Sequence, residues 1–219
     1  MNIPTFTVLG GGPTVLMLHG IVGGHLAFAP QVESLATAGY RAVAWDMPGY
    51  GRSAPIEPYT FKGLAQSCVA LIEALLAGED GGAESVGARR RPGRVTLLGH
   101  SIGGMVALEV VARRPDLVNR LILCGTTPSF GQPDGDWQRE FITHRTAPLD
   151  AGRTMADLAD VLVPQMVGPA SLTRRRAPGD PLHEPGPRFH LSPCTGGAVD
   201  FRSACQSSAD PCAHAAAGR

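Results

Sequence analysis

RVTLLGHSIGGM, residues 94–105, reads as an apolar strand, a glycine-flanked turn and the first turns of a helix. The run at 94–98 does not alternate apolar with polar, which suits a strand covered on both faces. A helical pattern runs from 102 to 114 and stops before Pro115, whose ring cannot continue it. Between them lies Gly99-His100-Ser101-Ile102-Gly103. A serine on so sharp a strand-to-helix turn is crowded by the residues two places before and after it. Gly99 and Gly103 remove the side chains that would collide there. The helix start offers unpaired N–H groups and the positive end of a dipole to a developing oxyanion. The pentapeptide by itself is a weak signal. Its strand and helix flanks make it a strong one, and Ser101 is the candidate nucleophile.

The neighbouring sequence repeats the strand and helix alternation. Further strand candidates fall at 5–9, 14–18, 41–45 and 120–124, and helix candidates at 28–38 and 60–76. This order predicts an α/β fold, a mostly parallel sheet flanked by helices. Residues 16–24, LMLHGIVGG, end a strand in His19-Gly20 and a glycine-bearing loop. Alone this is an ordinary glycine turn. Beside a serine turn it offers a second backbone donor, so the expected oxyanion donors are the N–H groups of Ile102 and Ile21. His19 and Gly20 then support that loop. The remaining polar residues receive plainer readings: His25 lines the pocket or faces solvent, and His100 points away from the site and packs. Asp46 fixes its own Pro-Gly turn through backbone hydrogen bonds. Cys68 and Cys124 fall in apolar elements and read as buried, inert side chains.

Composition narrows the function classes. In 219 residues the 19 Lys plus Arg balance 19 Asp plus Glu, and only 17% of residues are charged, which favours neither nucleic acid nor an anionic membrane. No apolar run approaches the roughly 18 residues that cross a bilayer. Five cysteines, odd in number and without metal-ligand spacing, and an amino terminus lacking a signal-like pattern point to a reducing, cytoplasmic setting. Residues 79–93, with Arg89, Arg90 and Arg91, read as a solvated surface loop without a role.

Three motifs in order, His19-Gly20-Ile21, Asp46-Met47-Pro48-Gly49-Tyr50-Gly51-Arg52-Ser53 and the Ser101 turn, each follow a strand candidate. Over roughly 14–166 the sequence resembles the α/β-hydrolase superfamily, and within it the esterase and lactonase branch that includes 3-oxoadipate enol-lactonases. A serine at 101 argues against the dehalogenase and epoxide-hydrolase branches, which place an aspartate there. The resemblance implies hydrolysis of a small-molecule carboxylic ester, lactone or similar acyl substrate through an acyl-enzyme. It implies no metal and no organic cofactor, and leaves the oligomeric state open. It also places a triad acid after the penultimate strand and a histidine after the last. Neither strand has a convincing copy here. His144 falls in a presumed cap, His183, His190 and His214 in the tail, and Asp134 or Asp136 could only mimic an acid from an earlier strand, so both triad partners stay unassigned.

The expected organisation is a core over 1–130, a helical cap over 131–170 and a disordered tail over 171–219. Trp137, Phe141, Leu158, Leu162 and Met166 of the cap are the expected cover of an apolar pocket. In 172–219 the large apolar residues thin to Leu172, Leu182, Phe189, Leu191, Val199 and Phe201, too few to bury a core. Back-translation of 200–219 with the frame advanced one nucleotide permits TFDQRANLPxIRVPTLLLAG, which resembles the family's approach to its penultimate strand. The expectation is a coding frame that slipped between Pro169 and Arg174, leaving an amino-terminal hydrolase portion without its last strands.

Overall fold

The computed structural model describes residues 3–21, 23–78, 93–128, 136, 140, 143–144, 147–148, 150–154, 157 and 161. Before residue 125 the described residues form five strands and three α-helices. They are β1 (Phe6–Leu9), β2 (Thr14–Leu18), α1 (Ala29–Thr37), β3 (Arg41–Trp45), α2 (Phe61–Ala77), β4 (Val95–His100), α3 (Ile102–Arg113) and β5 (Val118–Cys124). The strands form one sheet in the order β1-β3-β2-β4-β5. Pairings β2 with β3, β2 with β4 and β4 with β5 are parallel, while β1 lies antiparallel on β3. The turn-rich stretch between β1 and β2 is too short for a crossover helix, so β1 reverses direction.

Side chains on successive strand positions face opposite sides, and the two faces have different partners. Leu16, Leu18, Val43, Trp45, Val95 and Leu97 join Leu64, Leu71 and Ile72 of α2 and Val106 and Val110 of α3 in one core cluster. Val15, Met17, Ala42 and Ala44 pack with Phe28 and Val32 beside α1 on the other face. Both faces of β2 and β3 are therefore dry, and each fully buried Leu or Val contributes about 1.5–3 kcal/mol. Thr60 starts α2 by accepting the Gly63 N–H at 3.1 Å.

β5 departs from expectation. Its apolar sequence matches a covered central strand, but among the described residues it pairs only with β4, and Ile122 and Leu123 stay 45% and 44% exposed. Cys124 is exposed as well, correcting the buried reading, because its strand sits at the edge of the described sheet. Cys68 is buried inside α2, and burial pushes its thiol pKa well up, which keeps it protonated and inert. Each described residue from 136 to 150 is helical. The five expected cover residues, most of the loop at 79–93 and the whole segment 171–219 lie outside the described residues. Among the described residues no helix is long and apolar enough to cross a membrane.

Candidate active site

Ser101 joins β4 to α3 with φ 53° and ψ −123°, and among the described residues no other non-glycine residue has positive φ. Such a conformation costs an L residue about 1–3 kcal/mol, so its surroundings must enforce it. The Ser101 N–H donates to the Cys124 carbonyl at 3.0 Å, and the Thr126 hydroxyl donates to the Ser101 carbonyl at 2.6 Å. Packing does the rest. A Cβ on Gly99 would stand 2.5 Å from the Gly103 carbonyl oxygen, and one on Gly103 would stand 2.6 Å from that of His19. A Cβ on Gly104 would meet the Thr126 side chain at 2.6 Å. The amino terminus of α3 therefore rests directly on the ends of β2 and β5, and Ser101 is left half-buried at the carboxyl edge of the sheet. Gly104 and Thr126 escaped the sequence reading. The glycine pair at 103–104 was the available signal for the first.

The loop after β2 lies against this turn. A Cβ on Gly20 would come within 3.2 Å of Ser101 Cβ and 3.0 Å of His100 Nδ1. The His100 ring fills the space between Gly20 and Gly125. Ile102 is buried at the first position of α3, where an N–H has no acceptor within the helix. Ile21 packs partly buried against the core cluster.

His19 is fully buried and its tautomer follows from its partners. The Met47 N–H donates to Nε2 at 3.0 Å, so the proton resides on Nδ1 and is donated to the Gly20 carbonyl at 2.7 Å. Burial drives its pKa down to about 4, against the opposing pull of the Gly20 bond and of Asp46. His19 is thus a neutral pin between two loops. The Gly20 carbonyl also accepts the Gly23 N–H at 3.0 Å.

Asp46 does something other than hold its own turn. Its Oδ1 accepts the His25 backbone N–H and the His25 Nδ1–H, each at 2.9 Å, and Oδ2 accepts the Thr5 hydroxyl at 3.2 Å. The turn is held instead by Ser53, whose hydroxyl donates to the Asp46 carbonyl at 2.7 Å and whose N–H donates to Tyr50 at 2.9 Å. Burial raises the Asp46 pKa, but the His25 and Thr5 bonds outweigh it and hold the carboxyl below its ordinary value. Gly51, at φ +54°, keeps a Cβ from colliding with that carboxylate. His25 therefore neither simply lines a pocket nor simply faces solvent.

Among the described residues no histidine ring nitrogen hydrogen-bonds the Ser101 hydroxyl. His144 and Asp136 are each helical and exposed, and Asp134, His183, His190 and His214 lie outside the described residues. A cavity of about 560 Å³ between Pro4, Pro48, Pro55 and the start of α2 includes none of the residues of the serine turn.

Comparison with known proteins adds to this geometry. The model of the Alpha/beta hydrolase family matches residues 15–215. The chain belongs to the α/β hydrolase family. This α/β hydrolase is 32% identical over 110 residues to a putative carbamate hydrolase RutD of Rhizobium rhizogenes, a match that covers 50% of this chain and 37% of that one. It is 33% identical to a pimeloyl-[acyl-carrier protein] methyl ester esterase of Pseudoalteromonas atlantica, over 62% of this chain and 45% of the relative. The fold matches the enol-lactonase of Burkholderia xenovorans LB400 with a TM-score of 0.63 at 21% identity, covering 94% of this chain and 70% of that structure. The chain thus spans less than half the length of these sequence relatives. They carry different activities in their names, so likeness fixes the family and leaves the reaction to the site.

Proposed function

We propose that this α/β hydrolase acts on a carboxylic ester, lactone or similar acyl substrate with Ser101 as nucleophile. The observation that carries the reading is the left-handed Ser101 backbone, held at a strand-to-helix turn with Gly20 packed against it. In this nucleophile elbow the Ser101 oxygen adds to the acyl carbon, and the carbonyl electron pair moves onto oxygen. The N–H groups of Ile102 and Ile21 form the oxyanion hole that stabilises it. The Ser101 hydroxyl proton passes to solvent, collapse expels an alkoxide (the opened ring's own in a lactone) that takes up a proton, and water then adds to the acyl-enzyme, releasing the acid and leaving the Ser101 oxygen protonated. Gly99 and Gly103 permit the elbow, and His19 and Gly20 hold the oxyanion loop. The substrate is a small molecule and the setting cytoplasmic, with a core over 1–130 and a helical cap over 131–170.

A fluorophosphonate probe tests the reading. The serine oxygen forms a bond to phosphorus, fluoride leaves, and the hydroxyl proton passes to solvent. Stoichiometric labelling that Ser101→Ala abolishes is the expected result. A folded wild type that stays unlabelled overturns it.

Two observations favour a second reading, a catalytically inactive truncated hydrolase. Among the described residues Ser101 lacks an imidazole partner, and β5 leaves Ile122 and Leu123 exposed at an edge. We propose a coding frame displaced between Pro169 and Arg174 as the cause of both, and the family match running through residue 215 stands against it. Sequencing the gene there decides it: an unbroken frame without a hydrolase-like continuation refutes the displacement.

A further inference from the structure

Two consecutive residues at the end of β3 grip both ends of one loop. Met47 donates its N–H to His19 Nε2 at 3.0 Å, at the loop's first residue. Asp46 accepts the backbone N–H and the ring Nδ1–H of His25 at its last. Between them lies the short span that carries Ile21, folded back by the Gly23 N–H to Gly20 carbonyl bond.

We propose that Asp46 and His25 are a positioning pair that fixes the direction of the Ile21 N–H, acting through the loop at 19–25 and never touching substrate. The proposal rests on the reading of Ser101 and Ile21 given above and extends it to a side chain pair with no assigned role. Three features carry it. Asp46 is 2% exposed, so its carboxylate has no water to spare and its geometry is set by its donors. Its two oxygens are divided between the loop and the start of the sheet, Oδ1 to His25 and Oδ2 to Thr5, which ties the loop to β1 as well as β3. Gly51 is the residue that leaves room for this carboxylate, since a Cβ there would stand 2.6 Å from Asp46 Cγ. Hydrogen bonds to an ionised acceptor are short and directional, so the pair resists rotation of the loop where a neutral contact would let it drift. The glycines at 20, 23 and 24 give that loop little stiffness of its own.

His25→Leu removes the ring donor at similar bulk, His25→Asn replaces it with an amide donor, and Asp46→Asn discharges the acceptor. For each, the maximal rate of Ser101 labelling by the fluorophosphonate is separated from the half-saturating probe concentration. The ¹⁵N and ¹H shifts of the Ile21 and Gly23 amides are recorded before labelling. Expected is a roughly tenfold lower maximal rate for His25→Leu and Asp46→Asn at a half-saturating concentration within about twofold of wild type, with displaced Ile21 and Gly23 signals. His25→Asn recovers most of the rate and the signals. A wild-type rate in His25→Leu, or a lower rate with the Ile21 signal unmoved, overturns the proposal. Should Asp46→Asn fail to fold, the two His25 variants decide alone, because that side chain is only half-buried. If the wild type itself stays unlabelled, the Ser101 reading falls. Displaced loop signals in His25→Leu that His25→Asn restores still uphold the pair as the loop's anchor, and unmoved signals discard it too.

Discussion

The turns that end β2 and β4 lie against each other, yet close packing dominates the hold on one and side-chain hydrogen bonds the hold on the other. After β4, the left-handed Ser101 is enforced by the absence of side chains at 99, 103 and 104, which lets α3 settle onto the strand ends. After β2, residues 19–25 are held by polar side chains, with His19 pinned between Gly20 and Met47 and His25 tied to Asp46. A turn fixed by packing fails when atoms are added. A turn fixed by hydrogen bonds fails when a donor is lost or a proton is gained.

The largest expected effect is steric. Gly103→Ala places a methyl group against the Leu18 and His19 carbonyls, backbone atoms that cannot rotate away, and should cost about 3 kcal/mol or more in urea unfolding. A loss below about 1 kcal/mol breaks the contrast between the two turns.

Next comes the proton that His19 refuses. Its folded pKa is near 4 because burial disfavours the charged ring, while the unfolded value is near 6.5. Between those values the unfolded chain binds more protons, so stability falls as the pH drops from 6.5 to 4, by up to about 3 kcal/mol. The pH series of His19→Gln should lack that slope, and equal slopes in both proteins remove His19 as its source.

Asp46 shifts in the same direction, over a more acid range and with a smaller effect. Its folded pKa is depressed because the bonds from His25 and Thr5 overcome burial, so its contribution is present above the unfolded value near 4 and is lost as the pH falls through the folded value. Asp46→Asn should be about 1–2 kcal/mol less stable at neutral pH, with the gap closing below the unfolded value. A gap that stays constant into acid shows that the charge is immaterial.

The smallest effect tests strain itself. Ser101→Gly relieves the left-handed backbone and should be about 1 kcal/mol more stable than Ser101→Ala, which keeps the strain while losing the hydroxyl. Equal stabilities mean that the conformation is costless.

The serine turn was readable in the chain because all its requirements fall within a few consecutive residues, 99 to 103, and the strands and helices around it follow from hydrophobic periodicity. The hold on the other turn was not. In sequence Asp46 reads as the holder of its own Pro-Gly turn, whereas its carboxylate meets His25 and Thr5, 21 and 41 residues away. The run that holds Cys124 reads as covered, since an apolar sequence carries no mark of which neighbour it lacks, and Cys124 is exposed.

The sequence alone determined where the backbone must bend and which faces must be apolar, because glycine placement and side-chain period act between residues a few positions apart. The tertiary structure decided which carboxylate serves which loop, which tautomer His19 adopts and which strand stands at the edge among the described residues. Those depend on partners that only the parallel pairing of β2, β3 and β4 brings together.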